Sequence, residues 1–191
     1  MSELQNLSFA VVIESANLSM AGLQSLWKCL NSLAEQELPI QNAKEVALMV
    51  AGELPAGTRE KLHETFPWLT IQQLKEGTDY TRMKVFGAQA VTSDIVVFCD
   101  SDCWYEPGWL KHLLQSFQER EDIQLVAGET STLISGPYSL AIALTYVFPR
   151  FSGETQLAPS AIYWANNVAI RRSLLSALPL PVHLPLFLRS S

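Results

Sequence analysis

A chain of 191 residues is long enough for one domain with a sizeable core. Its 48% hydrophobic and 17% charged residues exclude a disordered polymer, which is poor in apolar and rich in charged side chains. The formal charge of −6 argues against a general nucleic-acid surface, because phosphate binding shows as an excess of Lys and Arg.

Residues 8–13, Ser-Phe-Ala-Val-Val-Ile, form a continuous apolar run, the pattern of a strand buried on both faces. Leu23, Leu26, Trp27, Leu30 and Leu33 recur at helical spacing and predict a helix over 20–36. A second strand is predicted over 45–51. A helix over 55–66 follows, with Pro55 in its first turn, where proline is tolerated. A weaker strand over 69–74, a helix over 80–91, a strand over 94–100, a helix over 108–120 and a strand over 123–127 come next. Past Thr132 the alternation loosens into a helix around 138–148, an irregular stretch and the segment 161–172. A Pro-rich tail covers 179–191, leaving 1–178 as the folded domain. Strands alternating with helices through short connections predict an α/β domain, a parallel sheet with helices on both faces. In such sheets ligands sit beyond the carboxyl ends of the strands.

Cys29, Cys99 and Cys103 contain no CxxC pair and form no disulfide framework. Residues 1–5 carry no basic region leading into an apolar stretch, so no secretory leader is visible. No run reaches about 18 apolar residues. The expected location is the cytoplasm, with the inner face of a membrane the one surface still open to it.

The most informative stretch lies where the fourth strand ends: Ile95-Val-Val-Phe-Cys-Asp100-Ser101-Asp102-Cys-Trp104-Tyr-Glu-Pro-Gly-Trp109. In extended backbone, residues two apart point the same way, so Asp100 and Asp102 can converge on one ligand. Carboxylates brought together repel unless a cation or hydrogen-bond donors neutralise them. Mg²⁺ and Mn²⁺ suit such oxygens and complete their shells with water and substrate phosphate. The competing reading is structural, with Asp100 ending the strand and Asp102 capping a turn. Cys99 is expected to pack as a small hydrophobe.

Three separated motifs resemble family 2 glycosyltransferases. The first is Tyr80-Thr-Arg-Met-Lys84-Val-Phe-Gly87, which leads into Asp100-Ser101-Asp102 and then Glu106-Pro-Gly-Trp-Leu110. The second is Trp164-Ala-Asn166-Asn167-Val-Ala-Ile-Arg171-Arg172. The third is the first strand with its following loop, ending at Asn17. The resemblance covers about residues 8–175. It implies a GT-A fold, a Rossmann-like mainly parallel sheet, and a nucleotide-diphosphate sugar donor, a UDP-sugar by preference. Carried over by position, Asp102 would ligate a divalent Mn²⁺ or Mg²⁺ that bridges the diphosphate. Asp100, with Ser101, would contact the ribose or the metal shell, and Lys84 would lie near the nucleotide. Glu14 and Ser15 would line the base pocket. The family's acidic residue after the second strand is replaced by Ala51-Gly52-Glu53-Leu54, leaving Glu53 or Glu14 as stand-ins. The family's aromatic after the first strand is replaced within Glu14-Ser15-Ala16-Asn17.

Inverting transfer also needs a carboxylate to deprotonate the acceptor hydroxyl. The family supplies it downstream of the Arg-Arg segment, yet nothing acidic follows Glu154 here. The chain therefore reads as a truncated member, with an upstream acid such as Glu129 or Glu154 as a substitute base and a catalytically incomplete donor-binding domain as the alternative. Trp104, Trp164, Asn166 and Asn167 are the expected acceptor side, facing a saccharide or a lipid. Other fates are open for several of these residues. Lys84 could be a solvated helix charge, Asn166 and Asn167 a turn, Arg171 and Arg172 the start of a helix, and Trp104, Tyr105 and Trp109 core.

Overall fold

The computed structural model describes residues 7–132, 134–145, 156–160, 163–178 and 180. In chain order the elements are β1 (Phe9–Glu14), α1 (Leu18–Ala34), a 3₁₀ turn (Ile40–Asn42), β2 (Glu45–Ala51), α2 (Thr58–Thr65) and β3 (Thr70–Leu74). They continue with α3 (Tyr80–Ala90), β4 (Ile95–Asp100), α4 (Trp109–Glu119), β5 (Leu125–Ala127), α5 (Pro137–Thr145), β6 (Asn167–Arg171) and α6 (Arg172–Ala177). Most expected elements are present with shifted ends. The helix starting at Pro55 begins instead at Thr58, because Gly57 takes φ 75°, a left-handed turn that breaks the helical run. Gly22 (φ 76°, ψ 164°) likewise interrupts α1.

One six-stranded sheet has the order β3-β2-β1-β4-β6-β5. β1, β2, β3 and β4 pair in parallel, but β6 runs antiparallel to both β4 and β5. The sheet is therefore mainly parallel, as the resemblance implied, with β6 the antiparallel strand. The segment 161–172, which carried no strand assignment, contributes a strand that inserts between β4 and β5. β5 still runs in the β4 direction, two strands away.

The strands alternate between two apolar layers. Phe9, Val11 and Ile13 of β1 and Ile95, Val97 and Cys99 of β4 face a core closed by Leu26, Leu30 and Leu33 of α1 and Leu110, Leu114 and Phe117 of α4. Ala10 and Val12, with Val96 and Phe98, face the opposite layer, with Met83 of α3 and Val168 and Ile170 of β6. The period of two carries one residue further at each strand end. Glu14 and Asp100, paired in register, therefore turn toward the α3 layer. Cys99 is fully buried, as its apolar strand requires. Among the described residues no helix is long and apolar enough to cross a membrane. The tail over 181–191, Glu154 and the end of the helix expected over 138–148 lie outside the described residues.

Candidate active site

α3 delivers the cation of the site. Its N-terminus is capped by Asp79, whose carboxylate accepts the Arg82 N–H at 3.0 Å. Tyr80 and Lys84 then fall four residues apart, on one helix face. Gly87, one turn on, lets the helix lie against Val12 and Met49. Lys84 is buried, and its Nζ donates to Asp100 Oδ1 at 2.6 Å. The same ammonium lies 4.6 Å from the Tyr80 ring centre and 5.6 Å from that of Phe98. Tyr80 Oη donates to Asp100 Oδ1 at 3.4 Å. Lys84 is thus an internal counter-ion, not a solvated charge. Burial pushes the Asp100 carboxyl up, and the Lys84 ammonium pulls against that shift.

Glu14 stands beside this pair. Its Oε2 accepts the Ala16 N–H at 2.9 Å, while Oε1 is buried with no hydrogen-bond partner among the described residues. Burial first, and the Asp100 charge second, push its carboxyl up to about 8. It is therefore protonated at neutral pH. Ser15 is committed to the fold, its Oγ donating to the Met49 carbonyl of β2 at 2.6 Å.

Beyond Asp100 the backbone turns. Cys103 N–H donates to the Asp100 carbonyl at 3.1 Å, and buried Ser101 donates its N–H to the Glu14 carbonyl at 2.9 Å. The extended geometry expected for Asp100-Ser-Asp102 is corrected by this turn. The two carboxylates consequently have different surroundings. Asp100 is buried and paired, whereas Asp102 is exposed and accepts the Asn17 Nδ2 amide at 3.1 Å. Burial pushes the Cys103 thiol up to about 12, with the Asp100 and Asp102 charges adding to the shift.

The segment entering β6 closes the other side. Asn166 and Asn167 are buried rather than turned to solvent. Asn167 Nδ2 donates to the Glu129 carbonyl at 2.8 Å, and its Oδ1 accepts from Trp109 Nε1 at 2.6 Å. Asn166 Oδ1 accepts from Thr130 Oγ1 at 3.2 Å. Both amides therefore fasten the ends of β5 and β6 together. The Arg171 guanidinium is spent on the carbonyls of Ile123 and Phe117, and that of Arg172 on Ser93 and Ala88. Trp104 is 65% exposed, while Tyr105 beside it is buried and stacked on Trp109 with ring centres 4.2 Å apart. Trp164 is half-buried. Glu53 is exposed just past β2, and Glu129 is exposed just past β5. Because β6 intervenes, Glu129 lies two strand spacings, about 10 Å of backbone, from the end of β4.

Sequence reasoning carried Tyr80 only as part of a motif and Tyr105 only as a core candidate, and it missed Gln36 as part of this frame. Tyr80 was findable, being one helical turn from Lys84. Gln36 bonds the N-terminus of α4, accepting the Leu110 N–H at 2.9 Å and donating to the Glu106 carbonyl at 2.8 Å. Nothing in local patterning marks that long-range contact.

No curated protein matches the chain in sequence. Among solved structures, a mannosyltransferase from Pyrobaculum calidifontis in complex with GDP-Man and Mn²⁺ superimposes with a TM-score of 0.69 at 17% identity. The match covers 93% of this chain and 48% of that one. S. aureus TarS 1–349 in complex with UDP matches at TM-score 0.67 and 19% identity, over 97% of this chain and 52% of that one. Its complex with UDP-GlcNAc matches at 0.65 and 18%, over 90% and 47%. The chain thus spans about half the length of these structures, and at such identities the likeness is one of fold. The family model described as glycosyl transferase family 2 matches residues 19–178, a span holding the Asp100–Asp102 turn, the Lys84 helix and the Asn166–Arg172 segment. By that match the chain belongs to glycosyl transferase family 2.

Proposed function

We propose that the chain binds a nucleotide-diphosphate sugar, a UDP-sugar by preference, at the carboxyl ends of β1 and β4, and transfers the sugar to a saccharide or lipid acceptor with inversion. The observation carrying this reading is the division of labour between the two aspartates. Lys84 already neutralises Asp100, leaving a fixed, buried acceptor for a ribose or base hydroxyl or N–H. Asp102 presents an exposed carboxylate beside it, steadied by the Asn17 amide.

The donor set fits a hard divalent ion. Asp102 offers exposed carboxylate oxygen, and an ion of this kind takes one or two protein carboxylates and fills its shell with phosphate and water. Among the described residues no group of three or more His, Cys, Asp or Glu could enclose a metal, so Mn²⁺ or Mg²⁺ would be shared with the donor diphosphate. When bound, the ion supplies charge neutralisation to the departing diphosphate. The chain's own residues orient the donor. Glu14, Ser15 and Ser101 line the nucleotide end, Glu53 flanks it past β2, and Asn17 holds Asp102. Trp104 and Trp164 stand on the acceptor side with Asn166 and Asn167 behind them. Glu129 is the proposed base, its backbone anchored by Asn167.

Calorimetric titration with UDP, with and without Mn²⁺, tests the donor site. Mn²⁺-dependent binding abolished in Asp102→Ala supports it, and absence of binding to the wild-type chain sinks it. A second reading, a donor-binding domain without turnover, draws on the β6 strand that separates Glu129 from the aspartates. UDP-sugar turnover lost in Glu129→Gln with UDP affinity retained favours the enzyme. Donor binding with no turnover favours the domain.

A further inference from the structure

The β4–β6 ladder stops at the pair Cys99 and Asn167. Continuing the antiparallel register by one step would set Asp100 opposite Asn166. Instead of joining directly, the two backbones meet through one side chain. The Asp100 N–H donates to Tyr105 Oη at 2.9 Å, and Tyr105 Oη donates to the Asn166 carbonyl at 2.9 Å. The hydroxyl thus takes the place of a ladder bond and holds the strand ends apart where the site opens. Tyr105 is itself immobilised. Its N–H donates to Ser32 Oγ at 3.1 Å, and its ring stacks on Trp109, whose Nε1 reaches Asn167. A buried hydroxyl in this position satisfies a donor and an acceptor that would otherwise be stranded.

We propose that Tyr105 is a positioning residue whose hydroxyl fixes the Asp100–Asp102 turn at a set distance from the Asn166–Asn167 segment, so that donor-side and acceptor-side groups move as one body. The effect on donor binding rests on the function proposed above. Without the hydroxyl, Asp100 N–H and Asn166 C=O either pair directly or go unsatisfied. In both cases the turn carrying Asp102 shifts.

The test compares Tyr105→Phe, which keeps the ring, with Ser32→Ala, which removes another bond to Tyr105 but leaves the hydroxyl bridge. Two readings are taken on each full chain: amide hydrogen exchange without ligand, and UDP affinity with and without Mn²⁺. Tyr105→Phe is expected to speed exchange both in residues 100–103 and in 166–167. It should weaken Mn²⁺-dependent UDP binding about tenfold, the scale of one lost buried hydrogen bond, with Mn²⁺-independent binding unchanged. Ser32→Ala is expected to lower the melting temperature without either effect. Exchange unchanged at either segment in Tyr105→Phe overturns the bridge, as does an equal loss of UDP affinity in Ser32→Ala. A wild-type chain that binds no UDP overturns the donor reading alone, because the exchange arm, read without ligand, still judges the bridge.

Discussion

Lys84 reaches from α3 to set its ammonium 2.6 Å from Asp100 Oδ1, with both side chains almost wholly out of water. Breaking a buried pair from one side leaves the other charge uncompensated, at a cost of about 3–5 kcal/mol. Lys84→Met is expected to destabilise the fold on that scale. Without the ammonium, the folded Asp100 carboxyl rises further above its unfolded value. Stability then falls as pH rises, because the folded state holds the proton more tightly. Urea denaturation at pH 5 and pH 8 checks this, and an equal loss at both values refutes the account.

Glu14 carries the same sign in the wild-type chain. Its carboxyl is raised from the ordinary 4.5 to about 8 by burial and by the Asp100 charge. The stabilisation from its proton is complete below 4.5 and is lost as pH climbs through about 8. Between those values the slope reaches at most about 1.4 kcal/mol per pH unit. Glu14→Gln keeps the shape without an ionisable proton. It is expected to flatten the stability profile and to exceed wild type above pH 8. Parallel profiles would show that Glu14 does not titrate in this range.

Much of the fold was legible because β1, β2 and β4 are continuous apolar runs and α1 and α4 carry clear stripes. The antiparallel strand was not. Asn167–Arg171 is five residues long, opens with a polar amide and closes with an arginine, and its partners lie far away in sequence. Its place depends on long-range bonds such as Arg171 to Ile123, which no local period records. At the site, the family pattern pointed to Lys84, Asp100 and Asp102. The turn at Ser101 and the burial of Lys84 were not readable, since one Asp-x-Asp spacing serves extended and turned backbone alike.

Gly87 is a packing requirement rather than a hinge. A Cβ there would drive into Val12 Cγ1 and press on Met49, both buried in the sheet. Overpacking of this kind costs about 1–3 kcal/mol. Gly87→Ala is expected to lose that much and, by pushing α3 outward, to weaken the Lys84–Asp100 contact. Adding Val12→Ala frees the space, so the double variant should be more stable than the sum of the single losses predicts. A double-mutant cycle by chemical denaturation decides it, and simple additivity would place the strain elsewhere.

Arg171 and Arg172 lie in the family motif but spend their charge on backbone. Arg172 reaches the Ser93 and Ala88 carbonyls, tying α6 to the last turn of α3 and the loop that leads into β4. Arg171 reaches Ile123 and Phe117, tying β6 to the end of α4. Hydrogen bonds from a charged group contribute about 1.5–3 kcal/mol each, and the freed carbonyls lose their partners. Arg172→Ala and Arg171→Ala are therefore expected to lower stability by about 2–4 kcal/mol while leaving UDP affinity within twofold of wild type under conditions where the chains stay folded. The carbonyls that hold these guanidiniums lie toward the amino end of β4, one strand length from Asp100, about 20 Å at 3.3 Å per residue. Loss of nucleotide affinity without loss of stability would overturn the structural assignment and return the arginines to the donor site.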